Sequence, residues 1–157
     1  LRSLQLDSLF IPARVNLAQL YNSTTENAKA LAILESIIKI EPEYPDAYYM
    51  RGLIEAEIGN LQEAALSLEK ATDLSPYNIR AYYNLGLIYQ NLGNINDAER
   101  AYQNGLDKAP QDESLHNALA ILYIQNQRLS AAKPHVEFLY ERYPNNPQIR
   151  QMADLVK

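Results

Sequence analysis

Residues 79–112 have the sequence IRAYYNLGLIYQNLGNINDAERAYQNGLDKAPQD, and this segment sets the architecture of the chain. Its apolar residues recur at helical spacing over 80–92 and again over 96–108, which predicts two amphipathic helices. Gly93-Asn94 between them provides a helix stop and a turn. Ala109-Pro110 ends the second helix, because a residue before proline is displaced from the helical region. The segment therefore predicts a helical hairpin.

The hairpin pattern returns along the chain with a period of 34 residues, and a fixed period of this length indicates a repeat architecture. The preceding hairpin is predicted to have helices at 46–58 and 61–74. Helices approach to about 8–10 Å only where the side chains at their crossing are short. Small residues on the period are therefore expected at the crossings. The residues that share the period are Pro42, Pro76, Pro110 and Pro144; Ala30, Ala64, Ala98 and Ala132; and Ala18, Gly52, Gly86 and Ala120.

The motif Ala81-Tyr82-Tyr83-Asn84-Leu85-Gly86-Leu87-Ile88-Tyr89, followed by Gly93-Asn94, Ala98, Tyr102 and Pro110, resembles the tetratricopeptide repeat. The resemblance implies an all-α fold, a right-handed superhelical solenoid of antiparallel helix pairs. It places four units at 11–44, 45–78, 79–112 and 113–146. Departures from the motif concern local geometry rather than the fold. They are His116 for the first aromatic, Thr25 and Gln127 for the turn glycine, and Gly105 and Leu139 for a small alanine.

Both ends of the chain carry further expectations. Residues 1–10 resemble the close of a repeat, with Ser8 in the place of the proline. We therefore expect them to be the end of an upstream, truncated repeat helix, and the chain to be a fragment of a larger protein. At the other end, residues 147–157 are expected to form a capping helix, amphipathic over 148–157, that covers the edge of the last repeat.

Composition argues against several classes of function. The 157 residues include 14 Lys and Arg against 19 Asp and Glu, a net charge of −5, whereas a nucleic-acid binder needs a basic face. No apolar run approaches the roughly 20 residues that span a bilayer, so membrane insertion is not expected. The absence of cysteine excludes thiol catalysis, disulfides and cysteine-held metals within this sequence, and it leaves the cellular compartment undetermined.

Catalysis is not expected either. The two histidines are His116 and His135, and no nucleophile elbow, phosphate loop or His-x-x-x-His pattern accompanies them. His116 is interpreted as a substitute for a core aromatic rather than as a base. We predict a non-catalytic protein that has no cofactor and no metal site.

The resemblance implies that the first helix of each unit lines a concave face that holds a partner segment. Tyrosines on this face offer contact area at low entropic cost, and amides can pair with a peptide main chain. The hypothesis is a groove that binds an extended or helical protein segment; the alternative is that these are ordinary consensus residues. The predicted lining residues are Val15, Asn16, Gln19, Tyr49, Met50, Leu53, Arg80, Tyr83, Asn84, Leu87, Asn117 and Ile121.

A subfamily that clamps the C-terminal carboxylate of chaperones uses Lys, Asn, Asn, Lys and Arg from three successive first helices. The corresponding positions here match that set at one residue at most, so this activity is not expected.

Arg51 and Glu55 replace an apolar residue and a tyrosine that occupy these repeat positions in the other units. Their i,i+4 spacing predicts a semi-buried ion pair. The alternative is a charged notch for a group of the partner. On the first interpretation, Arg51→Ala would destabilise the fold more than Arg51→Ala combined with Glu55→Leu.

A weaker resemblance concerns residues 11–21 and 80–87, which are similar to tetratricopeptide tails of bacterial multihaem c-type cytochrome proteins. It implies a second hypothesis, in which the chain is a structural or assembly module of a larger redox or enzymatic protein. It implies a bacterial origin and an exported parent protein, whereas the sequence itself allows either a cytoplasmic or a bacterial periplasmic location. Self-association is a further mode of interaction that the sequence leaves open.

Overall fold

The computed structural model describes residues 11–157, and the expected helix end at 1–10 lies outside these residues. The described part of the chain consists of helices joined by short turns, an all-α helical solenoid. The helices are α1 (Ile11–Ser23), α2 (Asn27–Ile40), α3 (Pro45–Glu57), α4 (Leu61–Leu74), α5 (Ile79–Asn91), α6 (Ile95–Lys108), α7 (Glu113–Gln125), α8 (Leu129–Arg142) and α9 (Pro147–Leu155).

The 34-residue period is visible in the helix starts. The odd-numbered helices begin at residues 11, 45, 79, 113 and 147, and the even-numbered helices begin at residues 27, 61, 95 and 129. The helix predicted at 46–58 begins one residue earlier, at Pro45, because the fixed φ of proline suits the first helical position. The helix α4 has the predicted bounds.

Small residues on the period lie inside the protein, as expected. Ala18 and Ala120 are fully buried, and Gly52 and Gly86 are buried at the equivalent positions. Ala30, Ala64, Ala98 and Ala132 are also fully buried. Short side chains at these points allow the two helices of each hairpin to pack closely.

The turns between paired helices keep one backbone geometry although their residues differ. Gly59 and Gly93 have φ of 89° and 77°, in the left-handed region. Thr25 and Gln127 occupy the corresponding turns with φ of 60° and 58°. The two substitutions for glycine therefore preserve the turn, at the cost of placing a side chain where L-residues are strained.

The core runs along the array as successive clusters rather than as one centre. One cluster joins α1, α2 and α3, a second joins α4, α5 and α6, and a third extends from α6 to α9. Each hairpin therefore buries its apolar face against its neighbours, which short helices need because they are marginal alone in water.

The last helix closes this core. Ile149, Met152 and Val156 of the C-terminal segment are buried, and α9 contacts both α8 and α7. Asp154 follows Ala120 by 34 residues, so a charged and largely exposed side chain stands where the earlier first helices carry Ala or Gly.

None of the helices within residues 11–157 has the length and apolar content that crossing a bilayer requires.

Candidate protein-binding grooves

From α3 onward, the first helices of the hairpins form one continuous layer. The helix α3 contacts α5, α5 contacts α7, and α7 contacts α9, while no comparable contact joins consecutive second helices in residues 11–157. The first helices lie closer together than the second helices do. The array therefore curves toward the first helices, and their layer is the inner, concave side. No comparable contact joins α1 and α3, which leaves an opening between them.

The opening between α1 and α3, here called the α1–α3 groove, has a volume of about 370 Å³. Five of the predicted lining residues meet in it: Val15, Gln19, Tyr49, Met50 and Leu53. The remaining lining residues are Asn22, Ser23, Asp46 and Ile54. The floor is therefore apolar, and polar atoms lie at its edge.

The next opening, here called the α3–α5 groove, has a volume of about 320 Å³ and a more polar lining. Its residues are Tyr49, Ile79, Arg80, Tyr83, Asn84, Asp112 and Ser114. The side-chain amide of Asn84 donates to the Tyr49 hydroxyl, with Nδ2 and Oη 3.1 Å apart. Tyr49 thus forms a wall shared by two grooves and is held by a residue of the following unit.

The remaining predicted residues are more scattered. Asn117 lines a third opening of about 310 Å³, between α7 and α9. Leu87 is exposed on the same layer at 36% of its surface, and Asn16 is exposed, but neither lines one of these grooves. Ile121 is half-buried and packs against the C-terminal core cluster.

Sequence reasoning missed part of the polar edge. Asp46 and Ser114 were not predicted, although they lie 34 residues before and after Arg80 and line the grooves. Applying the period to Arg80 would have found both. Asn22 and Ser23 lie at the end of α1, beyond the positions that the family resemblance indicated.

Comparison with known families identifies the repeats. Two family models, both described as tetratricopeptide repeat, match residues 17–82 and 53–122. The chain belongs to the tetratricopeptide repeat family. The prediction of an all-α helical solenoid of this family is therefore confirmed, while the weaker resemblance to multihaem cytochrome tails stays a prediction.

Solved tetratricopeptide structures share this fold at low sequence identity. The chain is similar to YrrB, described as a TPR protein with an unusual peptide-binding site, at TM-score 0.77 and 21% identity, over 91% of this chain and 74% of that one. It is similar to MamA from Desulfovibrio magneticus RS-1 at TM-score 0.78 and 19% identity, over 93% and 82%. A chain of the Naa15/Naa10 complex bound to HypK-THB gives TM-score 0.72 and 19% identity, over 93% of this chain and 22% of that one. No curated protein sequence matches the chain.

Membership of this family supports a role as a protein–protein interaction scaffold. The tetratricopeptide fold is typically a non-catalytic interaction module. The absence of catalysis stays a prediction for this tetratricopeptide chain.

The predicted ion pair between Arg51 and Glu55 is wrong. The Arg51 guanidinium donates from Nε to the Ser67 hydroxyl at 2.8 Å, and the Glu55 carboxylate accepts from the Asn60 side chain at 2.8 Å. No salt bridge joins Arg51 to Glu55 among the described residues. The i,i+4 rule failed because Ser67, buried on the paired helix α4, gives the arginine a closer partner.

His116 packs as an aromatic residue, although it is only half-buried. Its ring stacks on Phe138 with centroids 3.6 Å apart, and its Nδ1 lies 3.0 Å from Nδ1 of His135. Burial, and next the proximity of His116, lower the pKa of His135 to about 4. His135 is therefore neutral at pH 7. Within residues 11–157, no cluster of three or more His, Asp or Glu side chains could hold a metal ion.

Proposed function

We propose that the chain is a non-catalytic scaffold whose concave first-helix layer binds an extended or helical segment of a partner protein. The first helices of the four units at 11–44, 45–78, 79–112 and 113–146 supply this layer, and residues 147–157 cap it. The observation that carries the proposal is the placement of Tyr49, which walls two adjoining grooves and is positioned by Asn84.

Pre-positioned tyrosines suit a binding surface. A tyrosine has few rotatable bonds, so it offers a large contact area at a small entropic cost. The hydrogen bond from Asn84 uses the Tyr49 oxygen as acceptor and leaves the hydroxyl proton free to be donated to a ligand carbonyl. Met50 and Leu53 beside it provide apolar contact, and Met adapts its shape to irregular ligands.

The test uses random dodecapeptides displayed on phage, selected against the intact chain and then measured singly by fluorescence polarisation. We expect Tyr49→Ala and Tyr83→Ala each to weaken binding of the selected peptides by about tenfold or more, as hot-spot tyrosines do. Tyr77→Ala is the matched control, because Tyr77 is 81% exposed and lies in the turn between α4 and α5. Thermal unfolding of each variant separates loss of binding from loss of folding. Unchanged affinity in both folded groove variants, or a failure to select any peptide, would contradict the proposal.

A further inference from the structure

The charged side chains around the α1–α3 groove are arranged asymmetrically. The helices that form it carry two arginines, and both point away from it toward second helices. Arg14 donates from Nη1 to the Ser36 hydroxyl at 3.4 Å, and Arg51 donates from Nε to the Ser67 hydroxyl at 2.8 Å. Asp46 is the charged residue among the nine that line the groove.

The polar groups at the groove edge include acceptor oxygens as well as the amide of Gln19 and the hydroxyl of Tyr49. Asn22 Oδ1 has no hydrogen-bond partner among the described residues, but it is shielded from solvent and is not open to a ligand. The Ser23 hydroxyl donates to the Leu20 carbonyl at 2.8 Å, so its lone pairs are what remains for a ligand. The Asp46 carboxylate and the exposed Ser23 oxygen therefore favour a ligand that brings a positive charge or an N–H donor.

The floor of the groove is apolar and favours an apolar group of the ligand. Val15, Met50 and Leu53 line it, with the buried Ile54 beneath. A bulky aliphatic or aromatic side chain that enters from solvent would exchange water contact for this apolar surface. The neighbouring α3–α5 groove has both Arg80 and Asp112 in its lining, whereas Asp46 in the α1–α3 groove has no opposite charge beside it in the lining.

We propose that the α1–α3 groove takes a bulky apolar side chain of a partner segment that has a lysine or arginine next to it, with the cation on Asp46. This inference rests on the proposed function, since it specifies the ligand of one part of the same layer. Charge complementarity supports it, because the wider chain is acidic and no cation within residues 11–157 lines this groove.

The experiment compares selections of random dodecapeptides on the native chain and on the Asp46→Lys variant. On the native chain we expect selected peptides to have Lys or Arg within two residues of Leu, Met, Phe or Ile. Their affinity should fall about three- to tenfold in Asp46→Lys, as expected for reversal of an exposed ion pair, and the fall should shrink at high salt. Selection on Asp46→Lys should favour Asp or Glu at the same places.

Two further variants make the result specific. Glu35→Lys makes the same change of net charge on the exposed face of α2 and should leave affinity unchanged. Met50→Ala removes part of the apolar floor and should weaken the same peptides about tenfold. Thermal unfolding confirms that each variant is folded.

The outcomes separate the two proposals. Peptides that depend on Tyr83 but are unaffected by Asp46→Lys and Met50→Ala would overturn the inference and leave the concave layer as the binding surface. Selected peptides without basic residues would also overturn it. Peptides that are indifferent to every first-helix variant, or no selected peptides, would overturn both.

Discussion

Gly86 of α5 lies directly against the ring of Tyr102 of α6. A Cβ atom added at Gly86 would stand within 2.5 Å of three carbons of that ring, closer than real Cβ atoms come to any neighbour. Tyr102 is fully buried, so the ring has no free direction in which to move. In the fourth hairpin the equivalent positions hold Ala120 and Val136, so the larger residue on the first helix faces a smaller residue on the second.

Gly86→Ala should therefore destabilise the chain, by about 2 kcal/mol or more, because the added methyl overpacks a rigid contact. Gly86→Ala should instead stabilise the chain when Tyr102 is also replaced by Val, because these two changes recreate the pair Ala120 and Val136. In that background alanine adds only its higher helix propensity, worth about 1 kcal/mol. Urea unfolding of the four proteins in the cycle measures both steps. An equal effect of Gly86→Ala in the two backgrounds would show that the ring contact is not what limits this position.

Thr25 has φ of 60°, a conformation that a β-branched residue adopts only under strain. Thr25→Gly should raise the free energy of unfolding by about 1 kcal/mol, since relief of strain exceeds the extra entropy of glycine in the unfolded chain. Gly93→Thr is the converse change at an equivalent turn and should lower stability. Thermal and urea unfolding measure both. A destabilised Thr25→Gly variant would mean that side-chain hydrogen bonds of Thr25 outweigh its backbone strain.

The order of the helices could be predicted because one pattern of prolines, turn residues and small crossing residues recurs at a fixed spacing. The close fit of Gly86 against Tyr102 requires the two helices of this repeat to pack as a hairpin. The neighbouring repeats have the same spacing and therefore the same helix packing. Even Thr25 and Gln127, which break the pattern, adopt the glycine conformation. The packing of the helices on both sides of each turn fixes its backbone conformation. This effect is stronger than the conformational preference of the single residue at the turn.

The groove could be predicted only in part, because the period locates positions on a helix but not the partners of polar side chains. Tyr49 and Asn84 were both predicted as lining residues. Their hydrogen bond joins two different repeat units, so the sequence motif of neither unit predicts it. The error at Arg51 has the same origin. Glu55 is near in sequence, whereas Ser67 reaches the guanidinium through the packing of α3 on α4.

Arg51 and Ser67 should show direct energetic coupling. The third hairpin has Leu85 and Ala101 at the equivalent positions, so Arg51→Leu with Ser67→Ala exchanges a polar pair for an apolar pair that this fold already uses. We expect a coupling energy of about 1 kcal/mol in a double-mutant cycle, the usual worth of one hydrogen bond. The cycle of Arg51 with Glu55 is the control and should give a value near zero. A larger coupling to Glu55 than to Ser67 would restore the ion pair that the structure contradicts.

His116 and His135 link the fourth hairpin to pH. The Nε2 atom of His116 lies 3.1 Å from the Pro110 carbonyl oxygen, which can only accept, so Nε2 carries a proton. The Nδ1 atom of neutral His116 is then an acceptor, and Nδ1–H of His135 donates to it across 3.0 Å. Tyr123 lies beside His135, and its hydroxyl is bonded to Glu99, which also pairs with Arg128. Full protonation of both imidazoles would place two N–H donors against each other.

Acid should therefore weaken the fold through His135. Burial lowers the pKa of this imidazole to about 4, below the unfolded value of 6.5, so the unfolded chain binds the proton first as pH falls. The contribution of neutral His135 is complete above pH 6.5, and as pH falls to about 4 it is lost; because solvent screens the partly buried ring, we expect a loss of about 1–2 kcal/mol. His116→Tyr with His135→Ala copies Tyr82 and Ala101 of the third hairpin and keeps the carboxylates that titrate in the same range. The difference in urea stability between native chain and this variant should change by that amount between pH 7 and pH 4. A difference that stays constant over this interval would show that His135 does not take part in acid destabilisation.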